Sequence, residues 1–100
     1  MQQMQAAVAL HNQGELDQAE EIYRQILAVD ADNFYALRFL GSLCRLTGSF
    51  DEGISFLRKA VDQRPSDKDA LYNLANLYMD SWNHSKAVEF FERCLAIDDE

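Results

Sequence analysis

Residues 37–65, LRFLGSLCRLTGSFDEGISFLRKAVDQRP, decide the fold, because the apolar patterns inside them return at a fixed spacing along the chain. Gly53-x3-Leu57-x2-Ala60 is preceded by Ala19-x3-Tyr23-x2-Ile26 and followed by Ala87-x3-Phe91-x2-Cys94, a shift of 34 residues each time. Leu37-x2-Leu40-Gly41-x2-Cys44 returns as Leu71-x2-Leu74-Ala75-x2-Tyr78 and, more loosely, stands earlier as Gln3-x2-Ala6-Ala7-x2-Leu10. Gly14 and Gly48 keep the same beat, and Pro65 closes the second unit where Ala31 and Asp99 stand in the others. Three units account for the whole chain, about 1–33, 34–67 and 68–100. A period of this length marks stacked supersecondary units, none of which buries its apolar face alone.

Within each unit the apolar residues fall three and four apart in two runs, the spacing of paired amphipathic helices. The pattern predicts helices at about 2–13, 17–29, 34–46, 51–63, 68–80 and 84–97. Ser49-x-x-Glu52 and Ser66-x-x-Asp69 have the capping-box arrangement, in which side chains satisfy the free backbone N–H groups at a helix start. Gly14 and Gly48 stand where a helix must end in a left-handed conformation that a Cβ resists. Trp82 holds the same place in the third unit, so Asn83 is expected to take the left-handed position or the turn to deviate. Ala7, Gly41 and Ala75, with Ala19, Gly53 and Ala87, let helices approach, and Leu10, Cys44, Tyr78, Tyr23, Leu57 and Phe91 fill the space between them.

This pattern resembles the tetratricopeptide repeat, Trp-x2-Leu-Gly-x2-Tyr followed by Ala-x3-Phe and Pro. The third unit carries it best, with Leu71, Leu74, Ala75, Tyr78, Ala87 and Phe91, and the second keeps Leu40, Gly41, Ala60 and Pro65. Gly53 in place of the small Ala, and Trp82 in place of Gly, depart from it. The resemblance implies an all-α solenoid of three helix-turn-helix repeats forming a right-handed superhelix. It also implies a concave groove lined by the first helix of each unit.

Position by position, the first unit would contribute Val8, His11 and Asn12 to that groove, beside Met1, Met4 and Gln5. The second would supply Tyr35, Arg38, Phe39, Ser42 and Arg45, beside Leu46. The third would supply Tyr72, Asn73, Asn76 and Met79, beside Asp69 and Asp80. Asn side chains bracket peptide bonds, and exposed rings such as Tyr35, Phe39 and Tyr72 offer contact area at low entropic cost. The expected function is therefore a noncatalytic scaffold that binds a peptide or protein segment. The alternative is the repeat segment of a larger enzyme, similar to O-linked N-acetylglucosamine transferase-like proteins. The family's Lys/Asn/Arg clamp for chaperone carboxyl tails is missing: Met4 and Val8 stand at its Lys and Asn in unit one, Asp69 and Asn73 at its Lys and Arg in unit three.

Charge and composition narrow the rest. With 9 Lys+Arg against 17 Asp+Glu the chain carries a formal charge of −8, which opposes nucleic acid and anionic lipid as partners. Cys44 and Cys94 both fall at repeat core positions without ligand spacing, so buried inert thiols are expected, with no disulfide framework, metal or cofactor. His11 and His84 belong to no motif, and a catalytic grouping or phosphate loop is not visible. Glu15, Asp17, Glu20 and Glu21 read as a solvated acidic helix start. No secretory or membrane-spanning segment is visible, so a cytoplasmic location is expected. Asp98-Asp99-Glu100 places like charge at the negative end of the last helix, as in a piece of a longer chain. Val88, Phe91, Cys94 and Leu95 would meet a following helix, so a homodimer through that edge is expected. Arg38 and Arg45, seven residues apart, share one helical stripe. Either they pair with Asp69 and Asp80, or they select an acidic ligand.

Overall fold

The structure, a computed structural model, describes residues 2–97. Asp98, Asp99, Glu100 and Met1, discussed above, lie outside the described residues. Six helices follow one another: α1 (Gln2–Asn12), α2 (Leu16–Val29), α3 (Phe34–Thr47), α4 (Phe50–Gln63), α5 (Lys68–Asp80) and α6 (His84–Ile97). Each border lies within a residue or so of the expectation from periodicity.

The helices pack in sequential hairpins, α1 on α2, α3 on α4 and α5 on α6, and the hairpins stack through α2 on α3 and α4 on α5. The first helices also approach one another, α1 to α3 and α3 to α5, whereas α2 and α4 meet through a long side chain, Arg24, which pairs with Glu52 at 2.9 Å and lies 5.6 Å from the Phe56 ring centroid. Crowding on one side and splaying on the other gives the stack a concave face made of α1, α3 and α5. The result is an all-α helical-repeat solenoid.

The small residues expected to permit close approach do so. Ala7, Ala19, Ala75 and Ala87 are fully buried. At Gly41 an added Cβ would collide with the Leu57 side chain, and at Gly53 it would lie 2.8 Å from the Cys44 Cβ and 3.0 Å from Leu77 Cδ1. Leu37, Leu40, Leu43, Leu57, Leu71, Leu74 and Leu77 fill the core around them, with Cys44 and Cys94 buried as expected. Burial pushes the Cys44 thiol up to about 11, an unreactive protonated state at neutral pH.

The helix ends correct several expectations. Ser49 makes no side-chain capping bond, and α5 is capped not by Ser66 but by Asp67, whose side chain accepts from the Ala70 N–H at 2.9 Å. Asn33, one period earlier, caps α3 in the same way by accepting from Ala36 N–H at 2.9 Å. Trp82 itself adopts φ 67°, and the turn does not deviate. Its N–H donates to the Met79 carbonyl at 3.1 Å and the Asn83 N–H to the Tyr78 carbonyl at 2.8 Å. Gly48 and Ser49 make the same pair of bonds to Arg45 and Cys44. This 5→2 and 6→1 arrangement is the Schellman closure, and it requires one left-handed residue. The demand of the α5–α6 hairpin overrides the preference of Trp, at a cost of about 1–2 kcal/mol.

Candidate functional site

On the concave face the exposed apolar area is concentrated on α3 and α5. Tyr35 is 45% exposed and Tyr72 53%. Neither ring is loose. Tyr35 stands edge-on to Phe34 with centroids 5.3 Å apart, and Tyr72 edge-on to Phe91 at 6.0 Å. Arg38 lies 5.6 Å from the Tyr35 ring centroid and Arg64 5.1 Å, and Arg64 Nη1 donates to the Tyr35 hydroxyl at 3.3 Å. Ring and guanidinium contacts of this kind hold an aromatic side chain in one orientation before any ligand arrives.

Phe39, expected to be exposed beside them, is half-buried instead. It stacks on Tyr23 with centroids 6.0 Å apart and planes at 13°, and Arg38 covers its face at 4.9 Å. Tyr23 is fully buried, and that burial pushes its hydroxyl up to about 12. Thus Phe39 belongs mainly to the joint between the first two units rather than to the open face.

The two arginines of the central stripe are both engaged. Arg38 Nη1 lies 3.4 Å from Asp67 and 3.3 Å from Asp69, and Arg45 Nε donates to Asp80 at 2.6 Å. Of the two expectations for these residues, pairing with the adjacent unit is the one observed, now with Asp67 added to Asp69 and Asp80. Each ion pair ties α3 to α5, and the paired guanidiniums do not form an open cationic centre on the face.

Among the remaining residues assigned to this face, Ser42, Asn73 and Asn76 are half-buried and Met79 is exposed. The first unit contributes less. Val8 is half-buried and Asn12 exposed, while the His11 Nδ1 sits 3.2 Å from the Tyr23 hydroxyl, so its ring is tied to α2. Burial lowers the His11 pKa. His84 opens α6, with its Nδ1 3.2 Å from the Met79 sulfur and its ring edge-on to Trp82 at 5.8 Å.

Two participants escaped the reading of the sequence, Arg64 and Asp67. The period itself held a signal for Asp67, which falls 34 residues after the cap Asn33. For Arg64 there was none, since its partner Tyr35 lies 29 residues away and only the stacked geometry joins them. At the far edge, Val88 is 50% and Leu95 70% exposed, and Phe91 is half-buried against Tyr72. Cys94, expected on that open edge, is buried, with its thiol directed to the Lys68 carbonyl at 3.7 Å. Lys68, Tyr72, Phe91, Cys94 and Leu95 line an apolar hollow there of about 410 Å³. The acidic start of α2 is solvated as expected, apart from Glu20, which accepts from Arg24 at 2.8 Å.

Known proteins share this architecture. Family models described as Tetratricopeptide repeat match residues 4–68 and 46–100. Among solved structures, MamA (41-end) from Desulfovibrio magneticus RS-1 superposes with a TM-score of 0.91 at 22% identity, over 97% of this chain and 55% of that one. The first TPR of Spaghetti (RPAP3), bound to an HSP90 peptide, gives 0.92 at 18% identity, over 98% and 78%. YrrB, described as a TPR protein with an unusual peptide-binding site, gives 0.86 at 21% identity, over 94% and 48%. The chain therefore spans about half the length of MamA and of YrrB. At these identities the likeness is one of fold.

Proposed function

The chain belongs to the tetratricopeptide-repeat family, and from that premise we propose that it is a noncatalytic interaction module whose concave face binds an extended peptide or protein segment. The observation that carries this reading is the pair of exposed tyrosines, Tyr35 and Tyr72, held rigid on adjacent first helices. Immobilised rings lose little entropy on binding, so the apolar area they offer converts efficiently into affinity. Asn73 and Asn76 lie one and four residues beyond Tyr72 on α5, where their amides are suited to bracket a peptide bond. That Spaghetti and YrrB are described as peptide-bound or peptide-binding supports the reading for a chain of this fold.

An acidic ligand, the finer expectation, meets Arg38 and Arg45 already neutralised by Asp67, Asp69 and Asp80. The face reads its ligand by shape and apolar area first. Peptides selected from a random display library against the intact chain test the proposal. The double substitution Tyr35→Ser and Tyr72→Ser should weaken them by about tenfold or more while helical content stays unchanged. Selected peptides that ignore both substitutions would refute it.

The exposed Val88 and Leu95 on α6 support self-association through that edge as part of the same proposal. Sedimentation at micromolar concentration should show a dimer that Leu95→Glu dissociates, and a strict monomer would exclude it. No helix of the described residues is long and apolar enough to cross a membrane. Two buried cysteines held as thiols fit the reducing cytoplasm as the working location.

A further inference from the structure

Trp82 is the one non-glycine among the described residues with positive φ, at 67°, and the turn it closes is built with glycine in the other two units. The backbone gains nothing from an indole there. Packing gains little either, since the side chain is 81% exposed and its ring contact is an edge-on approach to His84 at 5.8 Å. A large apolar side chain held in an unfavourable conformation and turned to solvent is a feature whose use lies outside the folded chain. Its surroundings specify that use. His84 Nδ1 touches the Met79 sulfur at 3.2 Å, and Met79 lies on the concave helix α5, so contact runs unbroken from the open face through Met79 and His84 to Trp82.

We propose that Trp82, Met79 and His84 form an anchor site for one bulky apolar side chain, aromatic or long aliphatic, of the peptide that occupies the concave face. This inference rests on the peptide-binding reading and extends it past the end of α5. An indole face, a thioether and an imidazole are soft, polarisable surfaces suited to such a group. The nearby carboxylate, Asp80, is held by Arg45 at 2.6 Å and so is not offered to a ligand cation. Spacing adds a constraint. Tyr72 lies eight residues before Asp80, where α5 ends, about 12 Å along the helix at 1.5 Å per residue, and Trp82 stands two residues beyond that end. An extended ligand touching both covers that distance in about four to five residues. The ligand class is therefore a segment with two large apolar side chains at that separation.

Trp82 is the chain's single tryptophan, so its fluorescence reports on this site alone. Peptides from a random display library, selected on the intact chain, should shift its emission to the blue and carry two apolar positions about four to five residues apart. Trp82→Gly and Trp82→Asn, both compatible with positive φ, should each weaken them about tenfold or more, and Trp82→Tyr should restore most of the affinity. Melting temperature separates this from a structural role: the Gly variant should melt at or above the parent. A fall of about 4 °C or more would show that the indole supports the fold and would overturn the proposal. Peptides weakened by Tyr35→Ser and Tyr72→Ser but indifferent to Trp82 would overturn it and leave the concave-face reading standing. Peptides indifferent to all three positions, or a library yielding no binder, would overturn both.

Discussion

Replacing Gly53 by Ala sets two well-calibrated effects against each other near the start of α4. Helix propensity favours Ala over Gly by about 1 kcal/mol at an interior position. The structure opposes it: the new methyl would lie 2.8 Å from the Cys44 Cβ, 3.0 Å from Leu77 Cδ1 and 3.2 Å from the Gly41 carbonyl oxygen. A Cβ and a backbone carbonyl cannot swing aside as a side-chain terminus can, and Cys44 and Leu77 are 2% and 0% exposed, so α3 and α4 must separate. Overpacking of this kind costs about 1–3 kcal/mol, which leaves a net loss near 1 kcal/mol after the propensity gain. For a domain of this size that loss lowers Tm by about 4–8 °C. Ala19 and Ala87 carry a methyl at the equivalent positions, so the crowding is specific to the α3–α4 pair and its α5 neighbour. Urea and thermal unfolding followed by circular dichroism measure it. Should Gly53→Ala raise Tm, helix propensity alone governs the position, and the argument that glycine here sets the interhelical distance is wrong.

Two further outcomes follow from the contacts. Asp67→Ala removes both the α5 cap and a partner of Arg38, and should cost about 1–2 kcal/mol by urea unfolding, while Asp67→Ser, which can still cap, should recover most of it. For His11, burial places the folded pKa below the ordinary 6.5, so the unfolded chain takes up the proton first as pH falls. Its contribution is flat above about pH 7 and turns destabilising through the window below 6.5, before carboxylates titrate. Tm should therefore drop between about pH 7 and pH 5.5, and His11→Gln should flatten that limb; an unchanged slope would assign it to other groups.

How far the chain could be read in advance follows from the range of each interaction. Helix borders and the small residues at 7, 19, 41, 53, 75 and 87 depend on spacing within and between units, and a 34-residue period displays both. The ion pairs of Arg38 and Arg45 were foreseeable for the same reason, because their partners Asp69 and Asp80 lie 31 and 35 residues on, near one period. The cap of α5 was not settled by local pattern: Ser66 and Asp67 both satisfy it, and the burial of Ala70 and Leu71 fixes where the first helical turn begins. Phe39 was misplaced because two neighbours compete for it. Its position on α3 faces the concave side, yet Tyr23 of the preceding unit presents a ring parallel to it, and stacking withdraws it from solvent. Tyr72, by contrast, keeps half its surface exposed, since its ring neighbour Phe91 meets it edge-on. Period therefore predicts which residues share a face, but the angle at which a neighbouring ring arrives decides which of them remain available to a ligand.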